Sequence, residues 1–164
     1  MRTLTASNID ELARLGFTSL RALELGRRAS YVVLKDDGIE ALARTGWPLA
    51  TLDAELSPRA VTALASVVAA GAFPQLFELD LANGALDDDE IAPLAEAEHL
   101  GALRRLSLHG NAITATGARA LMKAPWLGQL ESLDITGNDL GSAAEELRAL
   151  FESLPGSREL GIDS

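Results

Sequence analysis

The sequence predicts an α/β fold made of stacked repeats, each a short strand followed by an antiparallel helix, and two observations carry the prediction. The first is a spacing. Leu103, Leu106, Leu108, Asn111 and Ile113 recur one fixed interval later as Leu130, Leu133, Ile135, Asn138 and Leu140, and the same interval earlier as Leu76, Leu79, Leu81, Gly84 and Leu86. A period of roughly 20 to 50 residues marks a repeat architecture, in which each unit buries its apolar face only against its neighbours. The second is a change of pattern inside each unit. The front, Leu-x-x-Leu-x-Leu, alternates as a half-buried strand does, and the back places apolar residues three and four apart, as a helix does.

Taken in order, Ser7 to Phe17 reads as an amphipathic helix with polar starting residues and a stop at Gly16. It is the helical half of a unit, an N-terminal cap over residues 1–18. Five repeats fill residues 19–156, with strand cores Leu20/Leu23/Leu25, Leu49/Leu52/Ala54, Leu76/Leu79/Leu81, Leu103/Leu106/Leu108 and Leu130/Leu133/Ile135, and residues 157–164 keep a partial strand around Leu160 and Ile162. The whole is one domain. The first step, from Leu20 to Leu49, is longer than the rest and holds the β-prone Tyr31–Leu34, which reads as an extra extended segment, while the conformation of residues 27–36 stays open.

The helical backs are Ile39/Leu42/Ala43, Val61/Leu64/Val68, Ile91/Leu94/Ala95, Ala118/Leu121/Met122 and Leu147/Leu150/Phe151/Leu154. Their starts carry capping signals. Ser57-Pro58 supplies an N-cap and a proline at the first helical position, Thr114 or Thr116 can cap the next helix but one, and Asp87-Asp88-Asp89-Glu90 sets four carboxylates where the helix dipole favours them. That acidic run lacks the alternating ligand spacing and turn glycine of a calcium loop, so capping is its expected role. Phe17, Trp47, Phe73, Leu100, Leu127 and Leu154 recur just ahead of each strand as core plugs, and Trp126 stands one place out of that column.

Composition narrows the function. A net charge of -10 argues against nucleic acid and anionic lipid, which are bound through clustered Lys and Arg. With no cysteine there is neither a disulfide framework nor a thiolate zinc site, and the cytoplasm is the expected compartment. The longest apolar run, Val67 to Phe73, is too short to cross a membrane or act as an export signal. Twelve Arg against two Lys, with abundant Ala and Leu, suggest a GC-rich bacterial genome.

Leu103-x-x-Leu106-x-Leu108-x-x-Asn111-x-Ile113, repeated with helical backs over essentially the whole chain, resembles the leucine-rich repeat, in its ribonuclease-inhibitor type. The resemblance implies a right-handed solenoid, a segment of a horseshoe, with a parallel sheet on the concave face and helices on the convex one. It also implies that Asn111 and Asn138 bond backbone groups of the turn after the strand, a slot that Arg28, Ser57 and Gly84 fill differently, and that binding another protein is the commonest use, although a fold fixes no function by itself.

Side chains alternate along a strand, so if Leu106 and Leu108 point inward, Arg105, Ser107 and His109 face the open side. The same projection gives a central column of Glu24, Asp53, Asp80, Ser107, Asp134 and Gly161. Before it runs Ala22, Thr51, Glu78, Arg105, Ser132 and Glu159, and after it Gly26, Glu55, Ala82, His109, Thr136 and Asp163. The expected recognition surface is Glu24, Asp53, Glu55, Phe77, Glu78, Asp80, Arg105, Ser107, His109 and Asp134, taking a protein with a basic patch, since an array of one sign steers association.

Catalysis is not expected. Ser107 and His109 are separated by about 7 Å of strand, too far for a nucleophile–base hydrogen bond, and an open sheet offers no oxyanion hole. No phosphate loop, dinucleotide fingerprint or histidine metal cluster occurs, so neither cofactor nor metal is expected. Two other readings stay open: a subunit that assembles with further copies through the uncovered strand at Gly161–Ser164, and an acidic inhibitor of a basic enzyme.

Overall fold

The computed structural model describes residues 2–15, 19–24 and 32–163. Its main sheet is parallel and, among the described residues, six-stranded: β2 (Ala22–Glu24), β4 (Thr51–Asp53), β6 (Glu78–Asp80), β7 (Arg105–Ser107), β8 (Ser132–Asp134) and β9 (Glu159–Gly161) lie side by side in that order. Among the described residues six α-helices follow strands: α1 (Ala6–Arg14), α2 (Asp36–Thr45), α3 (Pro58–Ala69), α4 (Asp88–Glu96), α5 (Ala115–Leu121) and α6 (Ala143–Ser153), each packed on the next. Parallel strands need a crossover between them, and here the helix of each unit is that crossover.

The repeat register expected from the leucines is the register of the sheet. Leu52 pairs with Leu79, Leu79 with Leu106 and Leu106 with Leu133, all buried. Behind them Leu81, Leu108 and Ile135 form a second buried row, and Leu49, Leu76, Leu103 and Leu130 a third. The plugs Trp47, Phe73, Leu100 and Leu127 are buried, whereas Phe17 lies outside the described residues. Trp126, one place off the column, is also fully buried, and its indole Nε1 donates to the Leu94 carbonyl of α4 at 3.2 Å.

The first three units carry a feature that the repeat pattern did not reveal. Short strands β1 (Arg2–Leu4), β3 (Val32–Leu34) and β5 (Glu55–Leu56) pair in parallel as a second sheet, each immediately ahead of its helix. The extended segment expected near Tyr31–Leu34 is β3. Tyr31 itself, with Arg27 and Arg28, falls outside the described residues.

Beyond β5 the same backbone groups are satisfied by asparagine side chains. Asn111 Oδ1 accepts from the amides of Gly84 (3.0 Å) and Leu86 (3.1 Å), while its Nδ2 donates to the carbonyls of Leu108 (2.8 Å) and Leu81 (3.1 Å). Asn138 repeats this one unit on, accepting from Ile113 and donating to Leu108 and Ile135. The residue ahead of each asparagine sits in the left-handed region, as Gly110 (φ 66°) and Gly137 (φ 71°) do, and Asn83 (φ 58°) takes that place in the unit before. Such backbone favours Gly and tolerates Asn.

The starts of α1, α3 and α5 are closed by side chains, whereas α2 and α6 have no such cap bond. Ser57 Oγ accepts from the Ala60 amide at 3.3 Å with Pro58 at the first helical position, and Thr114, rather than Thr116, caps α5. At α1 the cap is Thr5, whose amide donates to Asn8 Oδ1 at 3.1 Å, so this helix begins before Ser7, a little earlier than its sequence suggests.

The acidic run divides its work between two helices. Asp87 accepts from Asp89 N at 2.8 Å and Glu90 from Asp87 N at 3.1 Å, closing α4 on itself. Asp88 instead reaches across to α5, accepting from Thr114 N (2.9 Å), Thr114 Oγ1 (2.6 Å) and Gly117 N (3.0 Å). Burial pushes the Asp88 carboxyl upward, but the bonds from Thr114 and Gly117 outweigh it and hold its pKa below the ordinary value. Glu90 moves the other way, raised by burial and by the neighbouring Asp87 carboxylate.

Candidate interaction face

In the first five strands of the six-stranded sheet the middle residue is buried under the helices and the residues on either side face away from them, while in β9 Leu160 is half-buried. That open face holds the expected columns. Glu24 pairs with Asp53, Asp53 with Asp80, Asp80 with Ser107, and Ser107 with Asp134, while Thr51, Glu78, Arg105, Ser132 and Glu159 run beside them. Neighbouring strands stand about 4.8 Å apart, so Glu24, Asp53 and Asp80 bring three carboxylates into succession.

Glu55 departs from its expected place. Its backbone belongs to β5 and pairs with Val33 in the second sheet, not with Ala82 in the main one. The chain leaves the main sheet after Asp53, and the next paired residues, Glu55 and Leu56, lie beside β3 with Leu56 in the core. Gly26, at the head of the same column, lies outside the described residues. Ala82 is buried, so the exposed part of this column begins at His109.

Arg105 interrupts the acids and is itself held. Its guanidinium is 3.8 Å from the Glu78 carboxylate and lies over the Phe77 ring, 5.5 Å from the centroid. Phe77 keeps 37% of its surface exposed, so the face carries an apolar platform braced by a cation. Arg104, one residue earlier, turns away and donates to the carbonyls of Gly101 and Leu103, which makes it part of the turn.

Two of the aspartates also fasten the strand ends. Asp80 Oδ1 accepts from Ala82 N at 3.1 Å, and Asp134 Oδ1 accepts from Thr136 N at 3.1 Å and from Thr136 Oγ1 at 2.7 Å. His109 joins the second of these. Its Nδ1 is 2.8 Å from Thr136 Oγ1, and that contact fixes the proton. The threonine hydroxyl has one hydrogen, and the carboxylate, an acceptor only, takes it, so Nδ1 must be the donor to Thr136, and in the neutral ring Nε2 is left with its lone pair. His109 is thus bonded to Thr136 and not to Ser107, as the strand spacing requires.

Sequence reasoning placed Glu24, Asp53, Phe77, Glu78, Asp80, Arg105, Ser107, His109 and Asp134 on one face, and the pairing of the strands brings them together there. It missed Thr136 as the link between His109 and Asp134. The signal was available: Thr136 stands one full repeat after His109, in the same column.

No family model matches the chain, and no curated protein does. Among solved structures of similar fold is the tropomodulin C-terminal domain of Caenorhabditis elegans, 16% identical, with a TM-score of 0.58 over 98% of this chain and 84% of that one. The likeness concerns the fold. It makes this chain an α/β protein whose parallel sheet and stacked helices are consistent with a leucine-rich-repeat type of architecture. Among the described residues no helix is long and apolar enough to cross a membrane.

Proposed function

We propose that the chain is a non-catalytic interaction module, a right-handed solenoid that binds a protein bearing a basic patch on the concave face of its main sheet, in a reducing cytoplasm of bacterial type. The observation that carries this is the open face itself: an acidic row of Glu24, Asp53, Asp80 and Asp134 beside the exposed Phe77, braced by Arg105 and Glu78. A focused field of one sign speeds encounter and an aromatic anchor adds affinity at the centre of an interface. A basic enzyme held inactive would be one partner of this kind.

The test is the binding of a fluorescent nona-arginine peptide at low salt. Reversing Asp53 and Asp80 to Lys should weaken binding at least tenfold and flatten its salt dependence, and reversing the exposed Glu98 and Glu152 should weaken it far less. Equal losses from the two pairs would show that only net charge matters and would remove the reading.

A second reading rests on the far end of the sheet. Strand β9 is an edge, and a groove beside it is lined by Phe151, Leu154, Leu160 and Ile162 together with Arg148, Glu152 and Arg158. An edge of this kind can pair with another copy. Light scattering at increasing concentration tests it, and an invariant monomer mass removes it.

A further inference from the structure

His109 is one of only two histidines in the chain, and its ring is set by its neighbours. Whichever charge the imidazole carries, Nδ1 keeps its hydrogen for Thr136, so any gain or loss of a proton happens at Nε2. Neutral, Nε2 accepts a hydrogen bond. Protonated, it donates one and places a positive charge on the face. The charged residues on the neighbouring strands and turns are Asp80 on β6, Arg105 on β7, the strand that His109 follows, Asp134 on β8 through Thr136, and Asp163 beyond β9, whose carboxylate accepts from Gly137 N. Three of these four are carboxylates.

We propose that His109 is the specificity-determining residue of the open face: neutral, it accepts an N–H from an arginine or lysine side chain of the bound protein at Nε2, and protonated it turns that side chain away. This rests on the reading of the face as a site for a basic protein. Thr136 and Asp134 are positioning residues, because they act by holding the ring in one tautomer. The device couples release of a cationic partner to the uptake of a proton at Nε2.

The experiment compares nona-arginine binding at pH 7.5 and 5.5, where the probe stays fully charged. The wild type should bind about three- to tenfold more weakly at the lower pH. His109→Gln should remove that difference, and His99→Gln should keep it. A pH dependence that survives in His109→Gln overturns the proposal, as does a wild type with none. A second arm does not need the probe: nitrogen-15 chemical shifts of the neutral His109 ring should report hydrogen on Nδ1 and a bare Nε2, and Thr136→Val should mix the two tautomers. A wild type with its hydrogen on Nε2 overturns the proposal. Failure of nona-arginine to respond to the Asp53 and Asp80 reversal, with the tautomer as expected, would instead strike the basic-partner reading.

Discussion

Asp88 begins one helix and closes the start of the next: its carboxylate accepts from the amide and hydroxyl of Thr114 and from the amide of Gly117. The approach depends on Gly117 having no side chain. A β-carbon there would stand 2.4 Å from Asp88 Oδ1 and 2.8 Å from Ile113 Cγ2. Alanine favours a helix interior over glycine by about 1 kcal/mol, yet at this position the displaced cap should outweigh that gain. The lost cap costs about 0.5–2 kcal/mol and the crowding of Ile113 about 1–3 kcal/mol, so after the helical gain is subtracted Gly117→Ala is expected to destabilise by about 1–3 kcal/mol. In an Asp88→Ala background the same change should cost less, because the carboxylate that it displaces is gone. Urea denaturation of the four proteins of this cycle measures the coupling, and strict additivity would count against the contact.

Acid should act on the two neighbouring carboxylates in opposite senses. The Asp88 pKa is depressed in the folded protein, so its contribution is complete above the unfolded carboxyl value, near 4, and is lost as pH falls through the folded one. The Glu90 pKa is raised, so its charged form weighs against the fold at neutral pH, and that penalty fades as pH falls through the raised value. Stability followed from pH 7 to 3 should therefore show a Glu90-dependent relief first and an Asp88-dependent loss later. Glu90→Gln should remove the first and Asp88→Asn the second. Unchanged pH curves in both variants would contradict these shifts.

Asn111 serves two amides and two carbonyls across two units, and Asn138 one amide and two carbonyls. Leaving buried backbone groups without partners costs about 1–3 kcal/mol each before relaxation or water repairs them. Asn111→Ala is expected to lose about 2–4 kcal/mol after such repair, more than the roughly 0.5–2 kcal/mol expected for the single cap bond removed by Ser57→Ala. Chemical denaturation ranks the two, and a loss below that of Ser57→Ala would show that the ladder is dispensable.

The register of the main sheet was legible because each leucine of the repeat has only one place to go. Leu79, Leu106 and Leu133 meet as neighbours in the buried row, and a slip of one residue would turn all of them to water. The second sheet was not legible, since strands as short as Glu55–Leu56 leave no periodic trace, and their pairing depends on backbone groups that every sequence has. Glu55 was placed on the wrong sheet for that reason. The acidic columns followed from alternation alone, and the same columns set Thr136 beside His109, although the hydrogen bonds that join them to Asp134 are a matter of side-chain geometry.

The bonds of Asn111 and Asp88 cross the borders between units in opposite directions along the chain. Asn111 completes the turn of the unit before its own, and Asp88 starts the helix of the unit after its own. Excising residues 103–129 as a block would bring Asn138 to the place of Asn111, so Gly84 and Leu86 would keep an acceptor, but Gly141 would stand where Thr114 stands and Ala144 where Gly117 stands, and Asp88 would lose a hydroxyl donor and meet a β-carbon. Shortening this protein without injury means cutting where the residues on either side of the new join carry the same pair of devices, and among the described units Gly84, standing where Asn111 and Asn138 stand in theirs, makes the third unit a poor substitute for the fourth.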